Sequence, residues 1–248
     1  MPDGQPHYEY TKAQLQKLLA VISQDRIMPY YKAIRRTTDQ YERLKKAFEL
    51  YEKNTSYSET MYPILQGFEI SMRNRIHDRL TKDHGAGWYD KIELLPLEKD
   101  KVALARKEIA DKIQVETASR IVGELSFAFW VRLFSADYER LTWERSLKHL
   151  VPNALTRGEV YARFKDIKTL RNRIAHHSRI VDRPVTIRIS YEQIIESIGW
   201  FSADMQAWVR ATSRADAVLP KPIFNRTAAV SAVVAIPAVG PSEPRSTG

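Results

Sequence analysis

The sequence predicts an all-α protein, and three observations carry that expectation. Between residues 11 and 212 the apolar residues recur mostly at three- and four-residue spacing, the period of a helix with one buried face. Nine glycines and twelve prolines are few for 248 residues, and the prolines cluster near both ends. The one stretch that alternates like a strand, RPVTIRIS at 183–190, has no second strand to pair with, so it is expected as an extended connection.

In chain order the spacing predicts helices near 11–22, 39–53, 58–82, 98–115, 117–135, 137–149, 156–176 and 190–211. Ser58 with Glu59 is expected to open the third of these. The two glycines of DHGAGWY, 83–89, break the chain after it. Thr156 stands three residues before Glu159, a capping box at the start of 156–176. Trp130, Trp143 and Phe127 lie in dense apolar segments and are expected in the core before any base-stacking role. From residue 215 the composition turns to Ala, Val, Pro and Ser without period. The expected organisation is a helical domain over 1–214 and a disordered tail over 215–248.

Composition narrows the function classes. Hydrophobic residues make up 44% and charged residues 28%, ordinary values for a globular chain. The net charge of +9, with a pI near 9.6, favours a polyanionic partner. Without cysteine there is no disulfide, thiolate nucleophile or cysteine zinc site. The N-terminus lacks a signal-peptide pattern, and the longest apolar run, 228–240, is too short to span a bilayer. A cytoplasmic protein with no membrane partner is expected.

The residues that invite chemistry are in LRNRIAHHSRI, 170–180, with a partial echo in MRNRIHDRL, 72–80. Along 156–176, Val160, Phe164, Ile167, Leu170 and Ile174 make one apolar stripe, and Arg171 projects close to the middle of it. Asn172 and His176 are four apart and share another face. On a straight helix Arg171 and His176 point about 140° apart. They converge if the helix ends near Ala175, or if one chain's arginine works beside another chain's histidine across a two-fold axis. Glu69 falls with Leu65, Phe68, Met72 and Ile76, so a buried ion pair of Glu69 with Arg171 or Arg73 is expected, and its loss should unfold or strongly destabilise the protein. A simpler alternative is that His176 and His177 only cap the positive-charge-favouring end of a helix.

LRNRIAHH resembles the R-x(4–6)-H motif of HEPN ribonucleases, in the form with a polar residue after the arginine. Two further blocks, 48–76 and 124–152, resemble the Abi-like (abortive infection) group in the same order, so that the resemblance covers roughly residues 20–210. It implies a HEPN-type helical bundle, a homodimer with facing motifs, and a metal-independent endoribonuclease of phage defence or toxin–antitoxin systems, with an antitoxin or phage-derived trigger as partner. Carried onto this chain, the motif residues are Arg171, Asn172 and His176, with His177 also at allowed spacing. The chain continues SRIVDRP where many relatives have Glu-Pro.

Those residue types suit RNA cleavage. RNA carries its own nucleophile, the 2′-hydroxyl, so the protein need supply only a base, an acid and positive charge at the phosphate. Histidine exchanges protons near neutral pH, and arginine presents a fixed fork to phosphate oxygens. No metal or cofactor enters this scheme. Arg173, Arg179, Lys168 and Arg73 are the candidate RNA-binding residues, along with Arg163 and Lys165. For each the alternative is a solvated helix face. Two rivals use the same surface without chemistry: an RNA- or protein-binding module, and a sensor that recruits an effector through its tail.

Overall fold

The computed structural model describes residues 8, 10–181 and 184–221, and among them there are helices and turns but no strand. The all-α expectation holds. The helices are α1 (Lys12–Ile22), α2 (Gln24–Ala33), α3 (Gln40–His84), α4 (Trp88–Lys91), α5 (Pro96–Asp111), α6 (Ala118–Glu124), α7 (Phe127–Arg132), α8 (Arg157–Ala175), α9 (Pro184–Phe201), α10 (Ala203–Thr212) and α11 (Ala215–Val218).

The spine is α3, 45 residues long, where the sequence suggested two helices with a break at 54–57. The polar run there does not end the helix because its side chains bond elsewhere. Ser58 Oγ donates to the Asn54 carbonyl at 2.9 Å, one turn back, instead of capping a new helix. Asn54 itself lies on the buried stripe with Tyr57, Met61, Ile64, Phe68, Met72 and Ile76. Around this stripe pack α2, α7, α8, α9 and α10. Phe68 meets Phe127, Phe164 and Phe201 edge-on or tilted at 5.3–6.1 Å between ring centres. Phe127, Trp130 and Trp143 are buried, as their setting predicts.

Gly67 is where α10 comes closest. A Cβ on that residue would stand 2.8 Å from Val209 Cγ2, so a larger residue would have to push Val209 or α10 aside. The break after α3 is also glycine chemistry, since Gly85 and Gly87 both take positive φ. Among the described residues, no helix is long and apolar enough to cross a membrane.

Besides the single α3, and the spans 117–135 and 190–211 that each hold parts of two helices where one was expected, four expectations need correction. Residues 24–33 form a helix, a span for which the apolar spacing predicts none. The span 137–149 is a chain of tight and wide turns, Ala136–Tyr138, Glu139–Trp143 and Leu147–Leu150, in place of one α-helix. There the Thr142 hydroxyl lies 2.6 Å from the Leu133 carbonyl and 3.1 Å from that of Tyr138, side-chain bonding that competes with a regular ladder.

The third correction is at 183–190, where α9 begins at Pro184, a residue suited to the first helical position. The short alternation misled because the governing pattern is longer. Ile187, Tyr191, Ile194, Ile198 and Phe201 are all buried at helical spacing, while Ile189 is half exposed. Fourth, the packed body does not stop at 214. Ala215 and Leu219 are buried, and buried Arg188 gathers this segment. Its Nε donates to the Pro220 carbonyl (2.8 Å), one Nη pairs with Asp216 (2.8 Å), and the other reaches the Ala215 carbonyl (3.3 Å). The remainder of the expected tail, 222–248, lies outside the described residues.

Candidate functional site

The site is built on the facing surfaces of α3 and α8, where the two RNRI segments meet. Thr156 and Glu159 form the expected capping box, which fixes where α8 starts. Burial of Val160, Phe164, Ile167, Leu170 and Ile174 then fixes its rotation. Arg171 is thereby turned toward α3, where a cleft of about 380 Å3 is lined by Tyr62, Leu65, Gln66, Glu69, Ile70, Arg73, Arg171, Ile174 and Ala175. Arg73, from the echo segment, and Arg171 therefore share one cleft.

Glu69 lies 3.6 Å from Arg171 Nε, so the predicted partner is right. The predicted burial is not: the arginine side chain is 42% exposed and the glutamate 28%. At the rim of a wet cleft such a pair contributes little stability, which removes the reason to expect unfolding on its loss. Arg73 has no ion pair among the described residues and donates through Nε to Asn74 Oδ1 at 3.2 Å. Two guanidinium groups and one carboxylate leave the cleft with a net positive charge.

Helix α8 ends at Ala175, immediately before the histidines. His176 leaves helical geometry at φ −93°, ψ 14°, and His177 takes φ 53°. The His177 N–H donates to the Ile174 carbonyl (3.0 Å) and the Ser178 N–H to that of Arg173 (2.7 Å), a Schellman closure with histidine at the left-handed position. Histidine adopts that conformation more readily than most residues but at a steric cost glycine avoids. Asn172, His176 and His177 are exposed. None of the three lines the cleft, and the two histidines follow its last lining residue, Ala175.

The segment after the histidines is held by several side chains. Asn54 Oδ1 accepts from the N–H groups of Ile180 (2.6 Å) and Val181 (3.2 Å), and its Nδ2 donates to the Ser178 carbonyl (3.4 Å). Arg26 donates to the His177 carbonyl at 2.8 Å. Arg173 donates to the Arg179 carbonyl, and Arg179 donates to the Pro29 carbonyl with its guanidinium over the Tyr30 ring. Arg173 and Arg179, read from sequence as RNA ligands, thus spend donors on fixing the loop. Lys168 is half-buried, one turn before Arg171. Arg163 pairs with Glu196 at 2.6 Å and covers Trp200.

Sequence reasoning missed Asn54, Arg26 and Tyr62. Asn54 carried a usable signal, a polar residue on the apolar stripe of a helix. Tyr62 is 63% exposed at the cleft edge, which no local pattern distinguishes from a core tyrosine. In the echo, His77 faces inward. The Trp88 indole N–H donates to His77 Nδ1 (3.0 Å), and burial lowers the imidazole's pKa below its ordinary value, partly countered by Asp78. Among the described residues no three His, Asp or Glu side chains are grouped as metal ligands would be. Searches of protein-family models, curated proteins and solved structures return no match to this chain.

Proposed function

We propose that this chain is a metal-independent endoribonuclease whose site is completed across a homodimer, acting in a cytoplasmic phage-defence or toxin-type system. The observation that carries the reading is the position of Arg171 on a net positive cleft, with two exposed histidines on the helix end beside it. The likeness of LRNRIAHH to the HEPN ribonuclease motif points the same way. RNA is the substrate that needs no protein nucleophile.

In this scheme Arg171 binds the scissile phosphate, and its charge stabilises the oxygens as negative charge grows on them. A neutral histidine takes the 2′ proton, the 2′ oxygen attacks phosphorus, and the bond to the 5′ oxygen breaks. The leaving oxygen takes its proton from a protonated histidine, the counterpart in the second chain. The products are a 2′,3′-cyclic phosphate and a 5′-hydroxyl. Glu69 touches Arg171 from the α3 side and orients it. Asn172, exposed on the same helix end, orients the imidazole or binds RNA. An antitoxin or a phage-derived trigger would act by covering or exposing this surface.

The test is cleavage of bulk RNA in EDTA by the wild type, Arg171→Ala and His176→Ala, with product ends identified. Loss of proton transfer typically lowers rate by about 10²–10⁴-fold. His176→Ala should therefore fall by at least about a hundredfold while sedimenting like the wild type. Activity unchanged in both variants would refute the assignment.

One observation favours a second reading, a non-catalytic binding module. The helix closure at His176–Ser178 is made by backbone bonds alone, so this exposed helix end is complete without any chemistry at the imidazoles. Retention of RNA without cleavage would select it.

A further inference from the structure

The cleft continues. Gln66 and Ile70 also line a second hollow of about 420 Å3 between α3 and α10, with Pro63, Met205, Trp208, Val209 and Arg214 among its walls. Trp208 is 60% exposed there, as Tyr62 is in the first hollow. The other tryptophans are buried or partly buried, so Trp208 is the only exposed indole among the described residues. Two open aromatic rings therefore flank a pair of adjoining hollows whose far end carries Arg73 and Arg171.

From these positions we infer that the α8–α3–α10 face is a binding track for single-stranded RNA, with bases stacked on Tyr62 and Trp208 and phosphates held by Arg73 and Arg171. The inference rests on the RNA reading above and adds the class of strand. Tyr62, Gln66, Ile70 and Arg73 run along one side of α3, with eleven residue steps, about 16 Å, between the first and the last. At roughly 3.4 Å per stacked nucleotide this accommodates about five. Stacking on a flat ring requires a base free of its complement, and hollows between helices receive a splayed base more readily than a duplex. Arg73 has no carboxylate partner among the described residues, and Arg171 is tied only at Nε, so both keep donors for phosphate. The chain's net charge of +9 supplies the long-range attraction.

The experiment titrates full-length protein with a 2′-O-methyl oligouridylate decamer, which cannot be cleaved by the 2′-hydroxyl route, and with a duplex of equal length. Tryptophan fluorescence reports occupancy through Trp208, and polarisation of a labelled decamer gives Kd. The expected result is quenching by the single strand and weak binding of the duplex. Tyr62→Ala and Trp208→Ala should each raise Kd roughly 5- to 150-fold, the range for losing one stacked base. Tyr62→Phe should stay near wild type. Arg73→Ala should reduce the slope of log Kd against log salt by about 0.7, one phosphate's share on a single strand.

Wild-type affinity in both alanine variants, or equal binding of duplex, overturns the track. So does a loss of dimer in Tyr62→Ala or Trp208→Ala by sedimentation, which would make the face an interface between copies. Tyr62-dependent binding without cleavage of unmodified RNA keeps the track and ends the nuclease reading. Cleavage indifferent to Tyr62 and Trp208 does the reverse.

Discussion

Asn54→Ala tests how the helix end bearing the histidines is held. The native amide is 4% exposed and satisfies two N–H groups, those of Ile180 and Val181, in a segment that is itself buried. Alanine leaves both donors without an acceptor. Each orphaned buried N–H costs about 1–3 kcal/mol, and the longer bond to Ser178 adds little. Alanine's better helix propensity returns roughly 0.5 kcal/mol. The net expected loss is about 1.5–5.5 kcal/mol, or a fall in Tm of roughly 3–20 °C for a chain of this size. Urea unfolding followed by far-UV circular dichroism measures it, with an unchanged m-value indicating that only stability moved. Asn54→Asp keeps both acceptor bonds and should lose less than alanine. A loss below about 1 kcal/mol in the alanine variant would mean that water satisfies the two N–H groups and that Asn54 does not hold the loop.

Glu69→Ala should cost less than about 1 kcal/mol, since the pair is partly exposed and its closest approach is 3.6 Å; calorimetry showing cooperative collapse would contradict this. His177→Gly should raise stability by roughly 0.5–1 kcal/mol by relieving the left-handed backbone at φ 53°, seen as a higher urea midpoint. Stability should decline with acid through His77. Its folded pKa is depressed by burial, so below the ordinary value near 6.5 the unfolded chain takes the proton first. The folded state then loses ground until pH passes the folded pKa, while above about 6.5 this group contributes no pH dependence. In His77→Gln, whose amide oxygen accepts the Trp88 N–H without titrating, midpoints at pH 7 and 5 should lie closer together than in wild type. Arg188→Ala removes three donor contacts that hold 215–220, and limited proteolysis should then cut near residue 214 at concentrations that spare the wild type.

What the sequence determined by itself was whatever rests on local periodicity and capping. The all-α class, the start of α8 at Thr156, its buried stripe and the glycine break after α3 needed only neighbours within a turn or two. An ion pair of Glu69 with Arg171 or Arg73 was also legible, because Glu69 and Arg171 project toward apolar stripes; which arginine and how exposed the pair is were not. Tertiary structure decided the rest. Asn54 sits inside a helix because its amide meets a loop 124 or more residues away, a partner that no local window contains. Arg188 is buried in its helix because residues 215–220 close over it and accept its donors. Arg73 joined Arg171 for the same reason. Two RNRI segments almost a hundred residues apart in sequence share a cleft only when the apolar stripes of α3 and α8 are pressed together, and packing alone sets that juxtaposition.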